Sequence, residues 1–220
     1  GLDDDCDGTV DEGFGVAGDI VITEVMANPS IVSDTLGEWF EVFNTTGSDV
    51  DLVGWTVYGD DGNDFVVGSS LVVPAGGYAV LGVEDDSATN GGVTVDYQYS
   101  RTDFSLSDTG DTIYLASGAT TIAELSWTQT WPESSGVSMQ LDDNHFDASS
   151  QNVSANWCAS TDAWNVSDRG SPNAANADCT GLDDDADGYT TTDCDDDSAD
   201  VSPEAPEQAN GVDDNCNDYL

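Results

Sequence analysis

The chain contains no lysine. Its 220 residues include only two basic side chains, Arg101 and Arg169, and a single histidine, His145. So few cations cannot neutralise nucleic-acid phosphates, which need clustered Lys and Arg, and no nucleic-acid partner is expected. Nor can the chain be drawn to an anionic lipid surface by charge. No run approaches the roughly 18 apolar residues of a membrane helix, so no membrane insertion is expected. Helical i, i+3, i+4 apolar spacing is also lacking. The chain opens at Gly1 with no apolar secretory segment, which reads as a mature form or a fragment.

Acid is abundant instead. Forty-five Asp and Glu give a formal net charge of −43. Self-repulsion at that density works against a compact state unless divalent cations or salt supply counter-charge. Yet the chain is 38% hydrophobic, with six Trp, seven Tyr and six Phe, which is enough for a core and excludes a disordered polyanion. The acids are unevenly placed: 1–18 carry six and 178–220 carry fifteen, while the middle holds both arginines and every Trp. This predicts a globular domain between two acidic flanks.

The middle reads as β throughout. Expected strands are Ile20–Met26, Glu38–Asn44, Val50–Tyr58, Phe65–Val73, Tyr78–Val83, Val93–Tyr99, Thr112–Ala116, Ile122–Trp127 and Val137–Leu141, with Gly-, Pro- and Asp-rich turns between them. Nine short strands at regular intervals point to an antiparallel sandwich or barrel. Residues 143–178, rich in Ser, Asn and Asp, read as an irregular closing segment strapped by Trp157 and Trp164. The expected organisation is an acidic half-repeat over 1–17, a β-sandwich over 18–142, the closing segment over 143–178 and a complete acidic repeat over 179–220.

The flanks share a motif. Gly1-Leu-Asp-Asp-Asp-Cys-Asp-Gly8 recurs as Gly181-Leu-Asp-Asp-Asp-Ala-Asp-Gly188 and again as Gly211-Val-Asp-Asp-Asn-Cys-Asn-Asp218. Cys6 and Cys216 occupy the same place in the first and third copies. This pattern suits one period of a tandem array. Asp183, Asp185 and Asp187 followed by Gly188 have the spacing of the first half of an EF-hand-like loop: oxygens at positions 1, 3 and 5, a glycine turn at 6 and the Tyr189 carbonyl at 7. Position 12 is Cys194, so a closing ligand is sought among Asp193, Asp195 and Asp196. Asp3, Asp5, Asp7, Thr9 and Asp11 repeat the arrangement, and Asp213, Asn215 and Asn217 repeat it with amides. Hard oxygen donors suit Ca²⁺, the expected cofactor.

Several of these motifs, in order, resemble the MopE-type metal-binding repeat of secreted bacterial proteins: Asp183 to Tyr189, Asp193-Cys-Asp-Asp, Pro203-x-Ala-x-Glu207 and Asn210-Gly-Val-Asp-Asp-Asn-Cys216. The resemblance adds Glu207 to the ligand candidates. Copper, the metal of the family's label, prefers imidazole or sulfur, and the one histidine is far from the repeat, so calcium remains the expectation. The span 18–141 resembles a lamin-tail domain through Ile22-Thr-Glu24-Val-Met-Ala-Asn28-Pro29, Gly37-Glu38-Trp39-Phe-Glu41-Val-Phe-Asn44, Val50-Asp-Leu-Val-Gly-Trp55, Val73-Pro-Ala-Gly-Gly-Tyr78 and Ser105-Leu-Ser-Asp108-x-Gly110-Asp111-x-Ile113. That resemblance implies an all-β, immunoglobulin-like antiparallel sandwich with irregular calcium-binding loop segments at both ends. Following the repeat, Cys158 and Cys179 bracket the closing segment and Cys194 and Cys216 bracket the metal repeat. Cys6 is left for a partner outside the chain. Such bridging suits an extracellular, oxidising setting.

No catalytic constellation is apparent, and no enzyme is expected. His145 lies near Ser149 and Ser150 without a nucleophile elbow. Glu38 and Glu41, three apart on a strand, face opposite sides and do not converge. Trp127 and Trp131 are read as core or rim packing, with an exposed sugar platform as the lesser reading. Asn44, Asn152 and Asn165 head N-x-S/T sequons. The expected function is a secreted structural module, one period of a calcium-bound, disulfide-linked array building a filament, stalk or matrix with other copies of itself as partners. The alternative is a cell-surface adhesin or carbohydrate-binding module, with glycans as partners.

Overall fold

The computed structural model describes residues 15–179, 194, 198, 200–203, 205–208 and 210–217. The chain divides into two compact units, Gly1–Ala177 and Asp178–Leu220.

The first unit is an all-β, immunoglobulin-like sandwich. Its strands are β1 Ile20–Met26, β2 Trp39–Asn44, β3 Val50–Asp51, β4 Thr56–Tyr58, β5 Asp64–Val66, β6 Val72–Val73, β7 Tyr78–Gly82, β8 Tyr97–Gln98, β9 Thr112–Ser117, β10 Thr120–Ser126, β11 Met139–Leu141 and β12 Trp157–Ala159. One sheet has the order β12-β11-β1-β2-β7-β8 and a second has the order β10-β9-β4-β5, while β3 and β6 form a small ribbon. All pairs are antiparallel except β7 with β8, which run parallel.

Alternation builds the core. Phe40 and Val42 of β2 and Ala79 and Leu81 of β7 point inward and meet Val57, Phe65, Ile113, Leu115 and Leu125 of the other sheet. Phe65, Tyr99, Phe104 and Phe40 form an aromatic cluster in which the Phe65 and Tyr99 rings stack 4.8 Å apart and Phe104 meets Phe40 and Tyr99 edge-on. The opposite parity of β2 and β7 faces away from the sandwich. There Met26, Trp39, Val80 and Val93 form a second, smaller core with Trp164 of the closing segment packed against it. Both faces of the central strands are therefore covered, and every residue of β1 is buried.

Several strand expectations change. Val50–Tyr58 is two strands, β3 and β4, which lie in different sheets. The chain crosses between them through Leu52-Val53-Gly54-Trp55, where Gly54 adopts φ +81°, a region that suits glycine. Phe65–Val73 divides likewise into β5 and β6. Val93–Tyr99 contracts to the two-residue β8, because Val93 and Val95 are spent covering the outer face. Asp34–Gly37 forms a single helical turn. The closing segment is less irregular than its composition implies: Trp157–Ala159 adds an antiparallel edge strand to β11.

Candidate metal centre

Of the sixteen expected ligand residues, Glu207, Asp213, Asn215 and Asn217 are described. Asp3, Asp5, Asp7, Thr9, Asp11, Asp183, Asp185, Asp187, Tyr189, Asp193, Asp195 and Asp196 lie outside the described residues, as does Cys6. Among the described residues, no group of three or more His, Cys, Asp or Glu is arranged to hold an ion.

The third loop is built by local side-chain-to-backbone bonds, the ordinary habit of Asn and Asp in turns. Asn210 Oδ1 accepts the Val212 N–H at 2.8 Å, and its Nδ2 donates to Asp214 Oδ1 at 2.9 Å. Gly211 between them adopts φ +87°. Asp213 Oδ1 accepts the Asn217 N–H at 3.1 Å, folding position 5 of the loop back toward position 1. The Cys194–Cys216 disulfide closes the base, as the repeat implied. Asn215 Oδ1 is buried and has no hydrogen-bond partner among the described residues. An unpaired buried acceptor is costly, and a cation at position 3 would satisfy it. Asp213, Asn215 and Asn217 thus fit a hard divalent ion, to which they would offer carboxylate and amide oxygens. Glu207 is exposed on the preceding stretch.

Spacing alone missed Asp214. Its side chain is buried at the hub of this unit: Oδ2 accepts the Gln208 N–H at 2.7 Å, and its carbonyl accepts the Ser202 N–H at 2.9 Å. As position 2 of the loop it falls outside the ligand pattern and serves the scaffold instead. The only available signal was the doubled Asp213-Asp214.

A second polar cluster lies on the outer face of the six-stranded sheet. A bulge in β1 between Ile22 and Glu24 turns Thr23 and Glu24 outward together, and Glu24 stands directly across from Glu41. Both carboxyls are fully buried. Glu24 accepts the Ser171 N–H at 3.0 Å and the hydroxyls of Ser171 and Ser138. Glu41 accepts the Thr23 hydroxyl at 2.8 Å and the Asn173 N–H at 2.6 Å. Burial pushes Glu24 up to about 7. Burial, then the neighbouring Glu24, holds Glu41 well above the usual carboxylate range. Glu38 sits on the opposite side of β2, as its spacing required. It takes Arg101 Nη2 at 2.7 Å and the Leu106 N–H at 3.2 Å, and burial still raises it despite the guanidinium. Glu38 and Glu41 share no partner.

The remaining candidates have structural roles. Ser149 and Ser150 donate their hydroxyls to Asp147 rather than to His145, whose Nδ1 lies 3.5 Å from Asp142. Trp127 is in the core, and Trp131 packs partly buried against Trp157 with centroids 5.9 Å apart, so the pair forms no exposed platform. Cys158 and Cys179 are each disulfide-bonded. No helix among the described residues is long and apolar enough to cross a membrane.

Two family models match the chain. The Lamin Tail Domain model covers residues 15–129. The MopE copper-binding model, described as "Putative metal-binding motif", covers residues 1–12 and 193–219. No curated protein matches.

Proposed function

The chain belongs to the lamin tail domain family, and from that premise we propose a secreted structural module: one period of a calcium-stabilised, disulfide-linked array forming an extracellular filament, stalk or matrix. The observation that carries this reading is the recurrence of one cysteine-bearing acidic motif, Gly1–Gly8 and Gly211–Asp218, on either side of the sandwich. Cys194 bonds Cys216 in the later copy. Cys6, its equivalent in the earlier copy, would take the Cys194 counterpart of a neighbouring unit. Calcium in these loops would neutralise carboxylates and tie down segments that bring little apolar surface of their own. Sites of this class in extracellular modules bind at roughly 10⁻⁴ to 10⁻³ M.

The test is electron microscopy with sedimentation velocity on the purified chain, oxidised, with millimolar calcium and with EGTA. Calcium-dependent assemblies linked through Cys6 are expected. A monomer in every condition, with Cys6 titrating as a free thiol, would overturn the array. The alternative, an adhesin or carbohydrate-binding module, draws on an open polar cleft lined by Asp60, Asp61, Asp111, Thr112, Ser126 and Trp127. It requires glycan binding that is lost in Asp111→Asn.

A further inference from the structure

We propose that Asn152 is a site of N-linked glycosylation, the one sequon of three that can carry a glycan on the folded chain. The proposal rests on the extracellular reading only for where the sugar donor is met; its physical basis is the state of each carboxamide.

Asn44 is fully buried. Its Nδ2 donates to the Ser48 and Val73 carbonyls at 2.8 and 3.0 Å. Its Oδ1 takes the N–H and hydroxyl of Thr46, so the sequon's own hydroxyl is occupied by the asparagine it would help activate. A sugar on Nδ2 would remove a donor from a buried carbonyl and place a polar ring in the sandwich. Asn165 is partly buried, and its Nδ2 donates to the Gly91 carbonyl at 3.1 Å and to Asp168 Oδ2 at 3.3 Å. Glycosylation there would break the link between the closing segment and the 90–93 turn.

Asn152 differs on each count. The tripeptide Asn152-Val153-Ser154 is exposed throughout. The carboxamide is held by one bond, from the Ser126 N–H to Oδ1 at 2.7 Å. Nδ2 makes no hydrogen bond among the described residues and is left toward solvent. The chemistry preserves this arrangement. Nδ2 loses one proton and forms a bond to C1 of the sugar. The C1–O bond to a lipid-linked pyrophosphate oligosaccharide breaks, and the pyrophosphate leaves with the electron pair. The product keeps its amide oxygen, so the Ser126 N–H remains satisfied. The position also has a use. Ser126 ends β10, the edge strand of the four-stranded sheet. A glycan fixed beside the end of this edge strand adds to the cover that the Gly18 N–H gives it at the Ile122 carbonyl and so guards against pairing with a stray strand, and it directs contacts between copies to other faces.

The test is in vitro transfer by a single-subunit oligosaccharyltransferase with its lipid-linked donor, followed by glycopeptide mapping. The folded, oxidised chain should gain one glycan, at Asn152, and Asn152→Asp, which keeps the Oδ1 acceptor, should gain none while retaining its melting temperature. The reduced, alkylated chain should accept at Asn44 and Asn165 as well. A folded chain modified at Asn44 or Asn165, or left bare at Asn152, overturns the proposal. A calcium-independent monomer would sink the array while leaving this assignment standing.

Discussion

Glu38 has a guanidinium, whereas Glu24 and Glu41 have only hydroxyls and backbone N–H groups. A buried carboxylate without a cation favours its proton, and two across one register favour it more. The folded state therefore binds protons that the unfolded chain releases. Because Glu24 and Glu41 are raised on folding, their contribution is fully present below the ordinary carboxylate range and is lost as pH rises through about 7 for Glu24. For Glu24 alone the loss is on the order of 3 kcal/mol. Scanning the melting temperature between pH 5 and 8 should show a decline, and Glu41→Gln should flatten it. The amide can still accept from Asn173 while donating to Thr23, whose hydroxyl can reverse. An unchanged slope in the variant would remove the pair from the explanation. Arg101→Ala should act differently. It strands the fully buried Glu38 carboxylate and should cost roughly 3 kcal/mol in urea unfolding at pH 7, with much of the loss recovered at pH 4.

At the scale of elements, the segment from Ser160 to Ala177 determines why β1 is buried on both sides. Its asparagines act as substitute backbone. Asn173 Nδ2 donates to the Thr94 carbonyl at 2.8 Å, and Asn176 Nδ2 donates to the Thr23 carbonyl at 2.9 Å and to the Leu141 carbonyl at 2.6 Å. Trp164 meets Trp39 edge-on at 5.8 Å. Gly170 sits at the closest approach. A Cβ there would lie 2.7 Å from Glu24 Oε1, 2.7 Å from Trp164 and 2.9 Å from the Ser138 hydroxyl. Gly170→Ala should therefore cost about 1–3 kcal/mol and raise hydrogen exchange in 160–177 and at β1 while leaving β9 and β10 protected. Composition hid this element. Ser, Asn and Asp without periodicity read as loop, because their bonding is to strands far away in sequence. The split of Val50–Tyr58 into two strands was hidden for a related reason: an apolar run stays apolar when the chain passes from one sheet to the next.

For the whole molecule, the net charge of −43 belongs to two populations. Twenty-one acids lie in the flanks, many at ligand spacing, and in the described loop Asp213 Oδ1 accepts the Asn217 N–H while the buried Asn215 oxygen has no partner among the described residues. Chelation with EGTA should expose 178–220 and 1–13 to protease before the sandwich melts. Equal protection with and without calcium would refute a structural role for the ion. The rest of the charge sits on 19–177, where Arg101 and Arg169 offset only two of 24 acids. Sequence by itself determined the strand-rich class, the opposite facing of Glu38 and Glu41, the pairing of Cys194 with Cys216 and the loop spacing, because each follows from local periodicity or a repeated motif. Only the tertiary structure decided that Glu24 opposes Glu41, that Asp214 is scaffold and that, of the three sequon asparagines, Asn152 alone leaves its Nδ2 without a hydrogen bond among the described residues. Those facts depend on which distant backbone comes to rest beside a side chain, and no local pattern records that.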